Sequence, residues 1–186
     1  MNRIHRWYCR SDAWRRTVRE RLLPWVVGRA ELGDRVLEVG PGPGVTTDVL
    51  RSRTEHLTAV EIDPALAAAL AVRLADTNVT VVRGDGTRLP FPDCTFSSAI
   101  SCTMLHHVPS AALQDCLLAE VRRVLRPGGL LVGSDSISSL LFRAVHLFDT
   151  LVAVPPETFG SRLRAHGFRD VAVDVHARSF RFRARA

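Results

Sequence analysis

Val36-Leu37-Glu38-Val39-Gly40-Pro41-Gly42-Pro43-Gly44 decides the fold. An apolar run stops at glycine, three glycines alternate with two prolines, and a helical pattern over residues 45–53 begins at once. A strand that ends in a glycine loop and turns directly into a helix is the opening unit of a doubly wound α/β sheet. Glycines there adopt dihedrals that a Cβ would forbid and let the backbone come close to a ligand. The N–H groups of the loop and of the helix start point towards that ligand.

Working outward, strand and helix signals alternate. Residues 57–61, 79–82, 95–101 and 130–132 read as strands, with helices over 64–74 and 110–125 between them. Pro64 suits a first helical turn. Arg126-Pro127-Gly128-Gly129 reads as a sharp stop and turn before the fifth strand. Residues 137–154 are apolar and read as a helix, 156–166 as another ended by Gly167, and 168–175 with 177–185 as a final pair of strands. Upstream, Asp12 to Leu23 has the period of an amphipathic helix that Pro24 ends or kinks. Such alternation implies a mostly parallel sheet covered on both faces.

The chain has 186 residues, 46% of them hydrophobic, enough for one domain with one core. We expect residues 1–186 to form a single domain with 1–30 as a helical arm. No run is long and apolar enough to cross a membrane, and the start leads into charge rather than an apolar stretch, so a cytoplasmic location is expected. Cys9, Cys94, Cys102 and Cys116 match neither a zinc set nor a disulfide framework, and no metal is expected. All 25 basic residues are arginine, for a net charge of +6. They crowd both ends of the chain, where they form either a solvated face or an attraction for anionic partners.

Two acidic residues give the glycine loop a meaning. Glu61 ends the second strand, about 20 residues beyond the loop, where a carboxylate accepts both hydroxyls of a ribose. Asp85, in Gly84-Asp85-Gly86, ends the third strand, where it can accept an adenine amine. Three successive strand ends then describe an adenosine-shaped site. A dinucleotide-binding oxidoreductase would want Gly or Ala three residues after Gly42; that residue is Val45.

Glu38-Val-Gly-Pro-Gly-Pro-Gly44, Ala59-Val-Glu-Ile-Asp-Pro64, Gly84-Asp85-Gly86 with Leu89-Pro-Phe-Pro-Asp93, and Val124-Leu-Arg-Pro-Gly-Gly-Leu-Leu-Val132 resemble the successive motifs of class I S-adenosylmethionine-dependent methyltransferases. The resemblance spans residues 35 to 134. It implies a Rossmann-like, doubly wound, seven-stranded mostly parallel sheet with an antiparallel C-terminal strand and helices on both faces. It also implies S-adenosyl-L-methionine as cofactor and S-adenosyl-L-homocysteine as product. By the same resemblance Gly40, Gly42 and Gly44 border the methionine half, and Glu38 orients the loop. Glu61 holds the ribose, Ile62 packs on the adenine, Asp85 takes its amine and Gly86 offers an N–H. Ser101 and Cys102 face the methionine near the methyl group.

The first three motifs are also similar to those of ribosomal RNA adenine dimethyltransferases. Those enzymes carry an Asn or Asp, a Pro and an aromatic after the fourth strand, and Ser101-Cys-Thr-Met-Leu-His-His-Val-Pro109 has neither the amide-proline pair nor the aromatic. Leu105-His-His-Val108 resembles instead the group that methylates quinones, sterols and other small metabolites. The expected acceptor is therefore small or lipid-like, with His106 as candidate base. Asp135-Ser136 are expected on the substrate side, and His5, Trp7 and Tyr8 as a lid. The alternative is a methyltransferase-fold module, non-catalytic or RNA-directed, that binds RNA or a protein partner through its basic ends. A homodimer is compatible with either.

Overall fold

The computed structural model describes residues 11–139, 142 and 149–186. The proposed lid residues His5, Trp7 and Tyr8, and residues 140, 141 and 143–148 of the helix expected over 137–154, lie outside the described residues; of the rest of that stretch Phe142 is helical, whereas 137–139 and 149–154 are not, which corrects the expectation there. Seven strands form one sheet in the order β3-β2-β1-β4-β5-β7-β6. They are β1 (Arg35–Val39), β2 (His56–Glu61), β3 (Val79–Arg83), β4 (Phe96–Cys102), β5 (Leu125–Ser136), β6 (Arg169–His176) and β7 (Ser179–Arg185). The pairs β1–β2, β2–β3, β1–β4 and β4–β5 are parallel, whereas β7 runs antiparallel between β5 and β6. This is the sheet that the motif order implied.

Side chains alternate along each strand, and both faces are covered. On one face Leu37, Leu131, Phe180 and Phe182 pack with Leu117 and Val121 of α5 (Ala111–Val124) and with Phe159 and Leu163 of α6 (Pro156–Ala165). On the other, Val36, Ile100, Leu130 and Val132 meet Leu50 of α3 (Val45–Leu50), Leu70 of α4 (Pro64–Arg73), and Val18, Leu23 and Val26 of the N-terminal helical segment. Caps set the helix starts: Asp63 accepts from the N–H groups of Ala65 and Leu66, and Ser110 from that of Leu113.

Two further local readings are narrowed or corrected. Of the two outcomes expected at Pro24, an end or a kink, the helix does not end there. α1 (Asp12–Thr17) passes through a wide π turn (Val18–Leu22) into α2 (Leu23–Val26). The Leu23 N–H reaches back five residues to the Val18 carbonyl, so the missing proline N–H falls where the ladder is already widened. Likewise Arg126-Pro-Gly-Gly129 does not precede β5 but lies within it. Phe96 pairs with Leu125 and Ser98 with Leu130, which leaves these four residues as a bulge in the ladder. The Gly128 N–H donates to the Ala186 carbonyl, and the Ala186 N–H to that of Gly129, at 2.9 Å each. At the outer edge, β6 carries a second bulge: three steps from Arg169 to Ala172 face two on β7, and Asp170 takes φ +49°.

Candidate functional site

The C-terminal ends of β1 to β4 open on one cavity of about 380 Å³, within the roughly 300–1,000 Å³ typical of small-molecule sites. Gly40 (φ +75°) and Gly42 (φ +56°) stand in the left-handed region, where a side chain is strained. A Cβ on Gly40 would fall 2.1 Å from Cγ of Met104, so the loop after β4 packs directly on the loop after β1. A Cβ on Gly42 would meet nothing within 4 Å. Both glycines line the cavity, whereas Gly44 caps α3 behind it, closed in by Leu70 and Arg73.

Glu61 lines the same cavity and is 6% exposed. Its Oε2 accepts from the Gly42 N–H and its Oε1 from the Asp63 N–H, both at 2.9 Å. The carboxylate is thus fixed across the loop and the end of β2, and each oxygen keeps a second lone pair for a hydroxyl. Asp85, exposed on the cavity wall, is held through Oδ1 by the N–H and hydroxyl of Thr87, both at 2.8 Å. Ile62 and Gly86 complete this side. The loop beyond Asp85 is tied down by Arg123, which bonds the carbonyls of Leu89 and Phe91 and the carboxylates of Asp93 and Glu120.

Glu38 lies beneath the loop rather than on the cavity. Its oxygens accept from the hydroxyls of Thr46 and Thr47. Burial outweighs those two bonds and pushes its carboxyl up to about 7. Cys102 is on the wall, and burial pushes its thiol up to about 12, so it stays a neutral thiol. Ser101 is not on this wall: it is buried and faces a small apolar void between Val39, Leu117 and Phe182.

The acceptor side departs most from the sequence expectation. His106 does not line the cavity. It is 2% exposed, with Nδ1 at 2.5 Å from Oδ1 of Asp135 and its backbone N–H bonded to Oδ2. Asp135, expected on the substrate side, is fully buried as its partner. His107 lines the cavity instead. Its Nδ1 lies 3.3 Å from the Thr150 carbonyl; a carbonyl only accepts, so that nitrogen carries the proton and Nε2 is the basic one. Thr103, Met104, Pro109 and Leu113 also line this side, and Trp14 of α1 lines the cavity. Sequence reasoning missed them, although Trp14 stood out as the largest apolar residue of its helix. Among the described residues no group of three or more His, Cys, Asp or Glu is placed to hold a metal ion.

A doubly wound sheet with a glycine loop after β1 and carboxylates at the ends of β2 and β3, all on one cavity, defines the class I S-adenosylmethionine-dependent methyltransferase fold. Residues 37–133, just over half of the chain, match the family described as Methyltransferase domain, and the chain belongs to that family. S-adenosyl-L-methionine is its cofactor. The chain is similar to the ribosomal RNA small subunit methyltransferase A of Bordetella pertussis, 36% identical over 68% of this chain and 52% of the relative. It is also similar to an uncharacterized methyltransferase of Mycobacterium avium, 38% identical over 61% of this chain and 44% of the relative. It therefore spans about half the length of these curated relatives, or less. Among solved structures it is similar in fold to the methyltransferase chain in a complex with the Trm112 methyltransferase activator of Haloferax volcanii. There the TM-score is 0.73 at 15% identity, covering 100% of this chain and 98% of the other.

Proposed function

We propose that this chain transfers the methyl group of S-adenosyl-L-methionine to a small or lipophilic acceptor. The observation that carries this reading is the asymmetry of this cavity. Its β2–β3 side bears Glu61 and Asp85, whereas the loop after β4 and the first turn of α5 set Met104, Pro109 and Leu113 on it beside His107, with Trp14 and Asp149 also on the lining. In this reading Glu61 takes the ribose hydroxyls, Asp85 the adenine amine and Gly86 offers its N–H, with Ile62 packed on the base. Gly40, Gly42 and Cys102 border the methionine half.

The bound cofactor supplies an already activated methyl on a sulfonium. What the chain adds is alignment of the acceptor and exclusion of water by the apolar wall. For a hydroxyl acceptor, Nε2 of His107 receives the proton; it takes this role from His106, which is buried against Asp135.

The sequence match to the Bordetella protein, together with the net charge of +6, supports a second reading in which RNA is the acceptor. Against it, Cys102 to Pro109 offers neither the amide-proline pair nor the aromatic to hold a base amine. One experiment separates them. Calorimetry with S-adenosyl-L-homocysteine is followed by transfer of labelled methyl to a panel of phenols, hydroquinones and fatty alcohols, beside a small-subunit ribosomal RNA fragment. Micromolar binding and label in a lipophilic hydroxyl are expected. Label in RNA alone selects the second reading, and no binding heat removes both.

A further inference from the structure

β7 divides its side chains between two environments. Phe180, Phe182 and Ala184 are buried in the core with α5 and α6, so Arg181, Arg183 and Arg185 stand together on the opposite face. Arg181 is engaged within the fold. Its Nε bonds Asp174 at 2.9 Å, its Nη1 bonds the Trp25 carbonyl at 2.6 Å, and its guanidinium lies 5.6 Å from the centre of the Trp25 ring. Further along the strand the face is open: Ala172, opposite Arg183, is exposed.

On that open end the register sets Arg169 of β6 directly opposite Arg185, with Arg183 two residues away on β7. Opposed residues lie about 5 Å apart at Cα and alternate ones about 7 Å, and like charges so placed repel. Nothing among the described residues offsets the repulsion. The side chains of Arg169 and Arg183 are exposed and make no hydrogen bond or ion pair there, and that of Arg185 reaches only the Gly128 carbonyl. Asp170, next along β6, pairs with none of the three. Guanidinium groups bond phosphate through two parallel N–H donors, so three of them left without a counter-charge on an open surface are the complement of phosphate.

The arginines stand on an open strand face rather than in a pocket, which suits phosphate carried on a large body. Single-stranded RNA binds where aromatic platforms stand beside the cations, and Trp25 on this face is already engaged by Arg181 and the His176 ring. Lipid headgroups ask only for charge at an accessible surface. We infer that Arg169, Arg183 and Arg185 dock this chain on an anionic lipid surface through headgroup phosphates. The inference rests on the lipophilic-acceptor reading above, whose substrate partitions into such a surface.

Sedimentation with vesicles, in the absence of cofactor and acceptor, tests it. The unaltered chain binds vesicles of phosphatidylcholine mixed with phosphatidylglycerol and does not bind phosphatidylcholine alone. Each arginine near an anionic surface strengthens binding about fivefold, so Arg169→Gln combined with Arg183→Gln weakens it about 25-fold. Arg51→Gln combined with Arg83→Gln removes the same charge at the opposite edge of the sheet, where Arg83 ends β3 and the Arg51 carbonyl holds Asn78, and changes binding by less than about twofold. The Tm of the first pair is unchanged or higher, because a like-charge contact is gone. Equal loss in both pairs, full binding in the first, a lower Tm in the first, or loss of binding to an RNA fragment alone overturns the docking face. Each of these leaves the acceptor reading standing, since the vesicles contain no acceptor; that reading falls instead with the binding heat of S-adenosyl-L-homocysteine.

Discussion

The two sides of the cavity are built on different principles. On the β1–β3 side each functional group sits on its own strand end and is fixed within a few residues or by the adjacent loop: Glu61 by Asp63 and Gly42, Asp85 by Thr87. On the β4 side the wall is fixed from a distance, with Thr103 and His106 fastened to the end of β5 some 30 residues later. The first side is a set of local motifs. The second is a tertiary object, so its residues exchange roles without altering any pattern in the sequence. His106 and His107 show this directly, because adjacent positions in the chain place one ring in the interior and the other on the cavity.

That contrast breaks most readily at the histidines. Removing the His106 ring leaves the fully buried Asp135 carboxylate without its side-chain partner, so His106→Ala lowers folding stability by about 3 kcal/mol in urea unfolding. His107→Ala, which removes a half-buried ring packed on His106 and facing the Thr150 carbonyl, costs less, about 1 kcal/mol, and slows transfer to a hydroxyl acceptor instead. The opposite pattern would put His106 at the chemistry.

Next in size is a pH effect beneath the glycine loop. Unfolded, Glu38 titrates at the ordinary value near 4.5; folded, burial raises it to about 7. The folded chain therefore holds a proton that the unfolded chain has released. The stability contribution is complete below about pH 4.5 and is lost as pH rises through 7, in total about 3 kcal/mol. Urea midpoints measured from pH 5 to pH 8 should fall more steeply for the unaltered protein than for Glu38→Gln. Parallel slopes would mean that water reaches this carboxyl.

The smallest effects lie on the side best read from sequence. Glu61→Ala removes an acceptor that Gly42 and Asp63 also use, and weakens S-adenosylhomocysteine roughly 100-fold by calorimetry. Asp85→Asn, at an exposed position, weakens it about tenfold. Equal losses would erase the distinction between the buried and the open carboxylate.

Legibility follows the same division. The order of strands β1 to β4, the helix start at Pro64, and the grouping of Gly40, Gly42, Glu61 and Asp85 on one cavity all rest on short-range signals: apolar runs, proline, glycine, and an acid at a strand end. What escaped was set by partners far along the chain. Pro24 is a helix breaker by local rule, yet the π turn before it absorbs the missing donor. Arg126-Pro-Gly-Gly129 is a turn by composition, yet hydrogen bonds to Ala186 draw it into β5. Ser101 and Cys102 alternate across β4, so only one of two neighbours faces the cavity. Trp14 belongs to the wall because its helix lies over the sheet, which no local period encodes.

The bulge at the start of β6 bears on how molecules of this chain behave when crowded together. An outermost strand presents unpaired amides and carbonyls that can template a neighbour. Here the extra residue between Arg169 and Ala172 bends that border, and Asp170 and Asp174 set carboxylates along it. A second molecule that tried to lengthen the sheet would have to desolvate those charges on an irregular rim. The same irregularity that ends the fold therefore keeps it from continuing into the next molecule, and straightening it with apolar residues would invite aggregation.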